Sequence, residues 1–129
     1  MNRIFNKKGI TIVESLIAVF LTAVAVASLI SMQPLSWQSA GRADSLSRAV
    51  GLLQQELESV ELNILMGNPP TSDAGFVNVV IGGELFEKKT TISQPSTTTW
   101  LAHVHVRWRT NPKGIRSSIL VSRQPGFDI

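Results

Sequence analysis

The chain has 129 residues, 43% of them hydrophobic, no cysteine, and a formal net charge of +3. That length allows one small domain beside a membrane segment, and without cysteine there is neither a disulfide framework nor a cysteine-based metal or redox site. Three of its 12 Lys/Arg, namely Arg3, Lys7 and Lys8, lie in the first nine residues, leaving nine Lys/Arg against nine Asp/Glu; the chain from Ile10 onward is formally neutral, which weakens a nucleic-acid reading of the basic balance.

Residues 1–9 form a short basic leader, of the kind whose positive charges hold a segment on the cytoplasmic side of a membrane. Residues 10–32 follow, almost all apolar or small, with Glu14 as their one charge. As a helix this stretch would be about 34 Å long, enough to cross a hydrocarbon core of about 30 Å with slight tilt. Ser15, Thr22, Ser28 and Ser31 can bond back to their own helix, and Ala18, Ala23, Ala25 and Ala27 are small enough to let neighbouring helices approach closely. An ordinary secretory signal fits poorly, since its apolar region is shorter and ends at a small-residue cleavage site. A plain single-pass anchor accounts for the length but not for Glu14, because a carboxylate in a bilayer costs about 3 kcal/mol on insertion scales and is normally there for a partner.

The run Lys7-Lys8-Gly9-Ile10-Thr11-Ile12-Val13-Glu14, followed by Ser15-Leu16-Ile17-Ala18, resembles the type III signal sequence of type IV prepilins and of the pseudopilins of type II secretion. The resemblance implies that a prepilin peptidase cuts between Gly9 and Ile10 and methylates the new amine of Ile10. It makes Glu14 the fifth mature residue, the acid that recruits each subunit into its filament. Isoleucine at position 10 departs from the commoner phenylalanine. Elementary chemistry is consistent with these roles: glycine removes bulk where a protease holds extended backbone, and cleavage creates an ammonium four residues before a carboxylate, so that pairing relieves two desolvation penalties. The implied partners are the peptidase, other pilins or pseudopilins through the N-terminal helix, an inner-membrane assembly platform, and lipid before assembly. The implied location is the bacterial inner membrane, with a cytoplasmic N-terminus and a periplasmic head, and then the pilus or pseudopilus.

Residues 33–66 continue as an amphipathic helix. Ala43, Leu46, Val50, Leu53, Leu57, Val60 and Ile64 recur at three- and four-residue steps, widened by Leu52, with Arg48, Gln54, Gln55, Glu58 and Glu61 on the polar side. Burial of this stripe against a sheet of the same chain is favoured over a coiled coil, for which about three heptads is marginal. Pro34 and Gly41 predict kinks or local melting, and Gly67-Asn68-Pro69-Pro70 ends the helix.

Residues 67–129 predict a sheet. Residues 76–81 and 85–92 make a hairpin across Gly82-Gly83; residues 93–99, with Pro95, read as a loop. In residues 100–108, Trp100, Ala102, Val104, Val106 and Trp108 point one way and Leu101, His103, His105 and Arg107 the other. Asn111-Pro112-Lys113-Gly114 is a turn signal, and residues 115–123 return as the partner strand, with Ile119 and Val121 inward. The fold class is therefore α+β: a long N-terminal helix, half membrane-spanning and half amphipathic, packed on a small antiparallel sheet of three to four strands, as the pilin resemblance also implies.

The Leu-Leu-Gln-Gln-Glu-Leu-Glu pattern and the strand of Val104, Val106 and Trp108 look most like V-type minor pilins, and the I-type minor pseudopilins share them. The absence of cysteine argues against a major pilin with a disulfide-closed loop, which favours a minor subunit. Candidate chemistry in the head is thin. His103 and His105 form an H-x-H pair, but no third zinc ligand offers itself, so they read as exposed strand histidines and no metal site is assigned. The Ser and Thr residues lack any nucleophile context, and neither an enzyme nor a cofactor nor a small-molecule substrate is expected. Lys88, Lys89, Arg107, Arg109, Lys113, Arg116 and Arg123 make the sheet region basic, against Glu56, Glu58 and Glu61 on the helix. This suits complementary contacts between subunits or DNA in an uptake pilus. With Trp100 and Trp108 inward and unable to stack on bases, DNA is the weaker choice.

Overall fold

The computed structural model describes residues 7–124 and 126, the first four of them by backbone alone. One helix, α1 (Lys7–Leu65), precedes four strands: β1 (Val77–Ile81), β2 (Glu84–Ser96), β3 (Thr99–Trp108) and β4 (Asn111–Ser122). The strands form one antiparallel sheet in the order β1-β2-β3-β4. The chain divides into two compact units, Met1–Gly41 and Arg42–Ile129.

Among the described residues of the first unit the only element is α1. Residues 11–41 are exposed throughout, because an apolar sequence with no polar face has nothing in its own unit to bury against. The expected melting near Pro34 and Gly41 is not present: both residues lie in helical backbone. Proline removes one hydrogen bond at a cost of about 3 kcal/mol, and long helical runs on either side confine that loss to one turn.

The second unit is built on the C-terminal part of α1 and the sheet. A Schellman motif closes the helix: the Gly67 N–H donates to the Ile64 carbonyl and the Asn68 N–H to the Asn63 carbonyl, with Gly67 at a φ of 84°. Sheet alternation then sets the inner face. Phe86, Thr90, Ala102, Val104, Val106, Trp108 and Val121 are buried there, and Ala49, Leu52, Leu53, Val60 and Ile64 of the helix are buried against them. The expected helical stripe is displaced. Ala43, Leu46 and Val50 are exposed, while Ala49, absent from the expected stripe, is fully buried.

The displacement has a polar cause. Ser45, Arg48 and Glu56 face the sheet because each has a partner there. The Ser45 hydroxyl contacts both Glu84 carboxylate oxygens at 2.8 and 3.0 Å. The Arg48 guanidinium donates to the carbonyls of Ile81 and Gly82 at the β1–β2 turn and pairs with Asp44. Glu56 accepts from Lys88 and from the Thr90 hydroxyl. Gly82 and Gly83 both have positive φ, as a two-residue hairpin turn of this twist requires.

Two loop expectations are corrected. Residues 93–96 belong to β2, and the β2–β3 turn is only Thr97-Thr98. Pro95 is tolerated because the register shifts between Ser93 and Ser96, leaving it opposite no ladder partner. Likewise the β3–β4 turn is Arg109-Thr110, and Asn111-Pro112-Lys113-Gly114 opens β4 as a bulge. Trp108 pairs with Asn111 and Val106 with Ile115, so Pro112, Lys113 and Gly114 all stand against Arg107. Gly114, at a φ of 66°, is held by its N–H donating to the Asn111 Oδ1.

Candidate functional site

Gly9 and Ile10 lie in helical backbone at the start of α1, and their side chains, like residues 1–6 of the leader, fall outside the described residues. Glu14 is one helical turn beyond Ile10, about 6 Å along the axis and on the same face. Its carboxylate is exposed and has no ionic or hydrogen-bonding partner among the described residues. Around it stand only apolar or small residues, including Ile12, Val13, Leu16 and Ile17, all more than half exposed. The helix is long and apolar enough to cross a membrane.

Every hydroxyl expected to bond back along this helix does so. Ser15 donates to the Thr11 carbonyl, Thr22 to Ala18, Ser28 to Val24 and Ser31 to Ser28, at 2.8–2.9 Å. These bonds consume the polar groups an apolar medium would penalise, leaving Glu14 as the one costly group of residues 11–32. One side of the helix carries a shallow apolar groove lined by Ala18, Thr22, Ala23, Val26 and Ala27. Small residues at four-residue spacing, Ala18 with Thr22 and Ala23 with Ala27, let a second helix approach closely.

The head has no comparable chemical centre. His103 and His105 face outward, as expected. The His105 ring lies edge-on to Phe76 at 5.3 Å, and its Nε2 donates to the Lys113 carbonyl at 2.8 Å, since a carbonyl can only accept. No group of three or more His, Cys, Asp or Glu side chains within metal-binding reach occurs among the described residues.

The basic cluster divides. Lys88 is on the inner face, paired with Glu56, and does not belong to the outer surface. Arg107 is neutralised by Glu87 and lies 3.7 Å over the Phe76 ring. What remains on the outer face is a cross-strand row, Lys89 opposite His105 opposite Arg116, with Lys113 on the bulge. These residues line an open groove with His103 and Ser118. Of the acids on the helix, Glu58 is exposed and Glu61 half-buried, and neither has a carboxylate-pairing cation among the described residues.

Sequence reasoning missed the inner polar layer, for which β2 carried a signal: Phe86, Lys88, Thr90 and Ile92 alternate as a single face despite the lysine. It also missed Ser72 and Asp73. Beyond Lys88, where β1 has not yet begun, these two side chains accept the N–H groups of Ile92 and Thr90 and so complete the edge of β2. No family model, no curated protein and no solved structure matches the chain.

Proposed function

We propose that this chain is a structural subunit of a type IV pilus, a minor one, that enters the inner membrane and then the filament through its N-terminal helix. In this reading a prepilin peptidase cuts after Gly9 and methylates Ile10, and the head remains on the periplasmic side. Glu14 carries the proposal. It is the single charge in residues 11–41 of α1, all of them exposed, and the hydroxyls of Ser15, Thr22, Ser28 and Ser31 in the same stretch bond back to their own backbone. A carboxylate left in that setting needs a cation delivered from elsewhere, and the amine freed at Ile10 supplies one, on the same subunit before assembly and on a neighbour within it. The small-residue groove of Ala18, Thr22, Ala23 and Ala27 supports close packing of such helices without any charge.

The secretion pseudopilus would use the same N-terminal chemistry, so the test reads both processing and destination. Gly9→Val puts a branched side chain where the peptidase must grip extended backbone. The variant is expected to insert in the membrane, keep its leader, and be missing from filaments sheared off the cell surface, where the parent chain is found. Recovery of cleaved Gly9→Val chain in sheared filaments contradicts the reading. Parent chain that is processed but held in envelope complexes with secretion components assigns the pseudopilus instead.

A further inference from the structure

We infer that the outer face of the sheet carries a binding groove for an acidic saccharide, a sugar chain bearing carboxylates of the uronic acid kind, seated across β2, β3 and β4. The groove lies wholly within Arg42–Ile129 and uses neither the leader nor Glu14, so it stands or falls apart from the function proposed above.

Two adjacent cross-strand rows build the groove. In the first, Lys89 on β2 and Arg116 on β4 flank His105 on β3; in the second, Thr91 and Ser118 flank His103. The end next to the first row is closed by Arg107, which Glu87 holds over the Phe76 ring, and by the bulge at residues 112–114 that stands against it. The bond from the His105 Nε2 to the Lys113 carbonyl ties that wall to the floor. The space enclosed is about 900 Å³, the scale of a site for an organic ligand and far more than one inorganic anion fills.

The donors select the occupant. The side chains of Lys89, Thr91, His103, Arg116 and Ser118 have no hydrogen-bonding or ionic partner among the described residues. Glu87, the nearest acid along β2 on this face, is already held by Arg107, so the first row keeps a positive charge that neighbouring strands make costly. Lysine and arginine can only donate. Their backbones stand about 10 Å apart across two inter-strand gaps, so a carboxylate set over His105 lies between the two charges and accepts from both. The second row, about 7 Å further along the strands, differs in kind. Hydroxyls and a neutral imidazole both donate and accept, which suits ligand hydroxyls that do the same. A sugar ring bearing a carboxylate presents the two kinds of group side by side. A phosphodiester backbone has acceptors for the first row and leaves the acceptors of the second unused. Nucleic acid also finds no ring to stack on, because Arg107 covers one face of Phe76 and His105 meets its ring edge-on.

Isothermal titration of the full-length chain in non-ionic detergent micelles tests this, with trigalacturonate as the probe and maltotriose and inorganic phosphate beside it. Trigalacturonate is expected to bind at least tenfold more tightly than either. Lys89→Gln with Arg116→Gln is expected to weaken its binding at least tenfold, and Thr91→Val with Ser118→Ala at least threefold. All four side chains stand on the outer face, so the head is expected to stay folded, which unchanged tryptophan fluorescence verifies. No binding of trigalacturonate at millimolar concentration overturns the inference. So does equal binding of maltotriose or phosphate, or an affinity indifferent to either double variant. Tighter binding of duplex DNA or of phosphatidylglycerol vesicles through Lys89 and Arg116 also overturns it, and assigns the groove to phosphate.

Discussion

Phe86→Ala is expected to destabilise the head by about 3–5 kcal/mol, the range for deleting a fully buried aromatic ring. Phe86 is completely buried on the inner face of β2, its ring 5.9 Å from that of Trp108, within a cluster formed by Ala49, Leu52, Leu53, Val104 and Val106. The cavity has little chance of collapsing, because the helix above it is tied down on both sides, by Arg48 on the β1–β2 turn and by Glu56 on Lys88 and Thr90. For a domain of this size the loss approaches the whole of a typical folding free energy. Chemical denaturation of the full-length chain in detergent, followed by tryptophan fluorescence with Trp37 replaced by Phe so that only Trp100 and Trp108 of the head report, measures it. A change below about 1 kcal/mol would mean that the two layers do not share the core described here.

Glu14→Leu is expected to leave membrane insertion and leader cleavage intact, since the substitution removes a penalty of about 3 kcal/mol from the bilayer. Its recovery in sheared filaments is expected to fall by at least tenfold. On the proposed reading the carboxylate of an incoming subunit meets the amine of Ile10 on a neighbour and so sets the axial register between them. A leucine keeps the apolar surface and loses only that attraction, so a defect in insertion or processing would point to a different cause. Quantifying the chain in membrane and filament fractions separates the two. Wild-type incorporation of Glu14→Leu would remove the assembly role assigned to this residue.

Those two residues also mark what could and could not be read from the sequence. Strand β3 was legible in full, because every inward position from Trp100 to Trp108 is apolar and the outward ones are mostly polar. The hairpin across Gly82-Gly83 was legible for the same local reason, the pair of glycines that a tight turn demands. The helix stripe was not. Its inner face includes Ser45, Arg48 and Glu56, and these look like solvent-facing residues until Glu84, the β1–β2 turn and Lys88 arrive from 30 or more positions away. Lys88 was misplaced on the outer surface by the same omission. Pro95 and the Asn111–Gly114 run were read as loop and turn because their residue types favour both. The sheet instead absorbs them as irregularities: Pro95 has no N–H to pair, and the Gly114 N–H is taken by the Asn111 Oδ1. At the N-terminus the reading of Gly9, Ile10 and Glu14 rests on the sequence motif alone, and the structure adds that Glu14 is exposed without a partner among the described residues. The cation it is proposed to meet belongs to chemistry performed on the chain after synthesis.

That chemistry is what the central claim rests on, and intact-mass and peptide mass spectrometry of the mature chain reads it directly. The account predicts an N-terminal peptide that begins at Ile10 and carries one added methyl group on its amine. A chain that still begins at Met1, or one cut near Ser31 as a secretory signal would be, contradicts it.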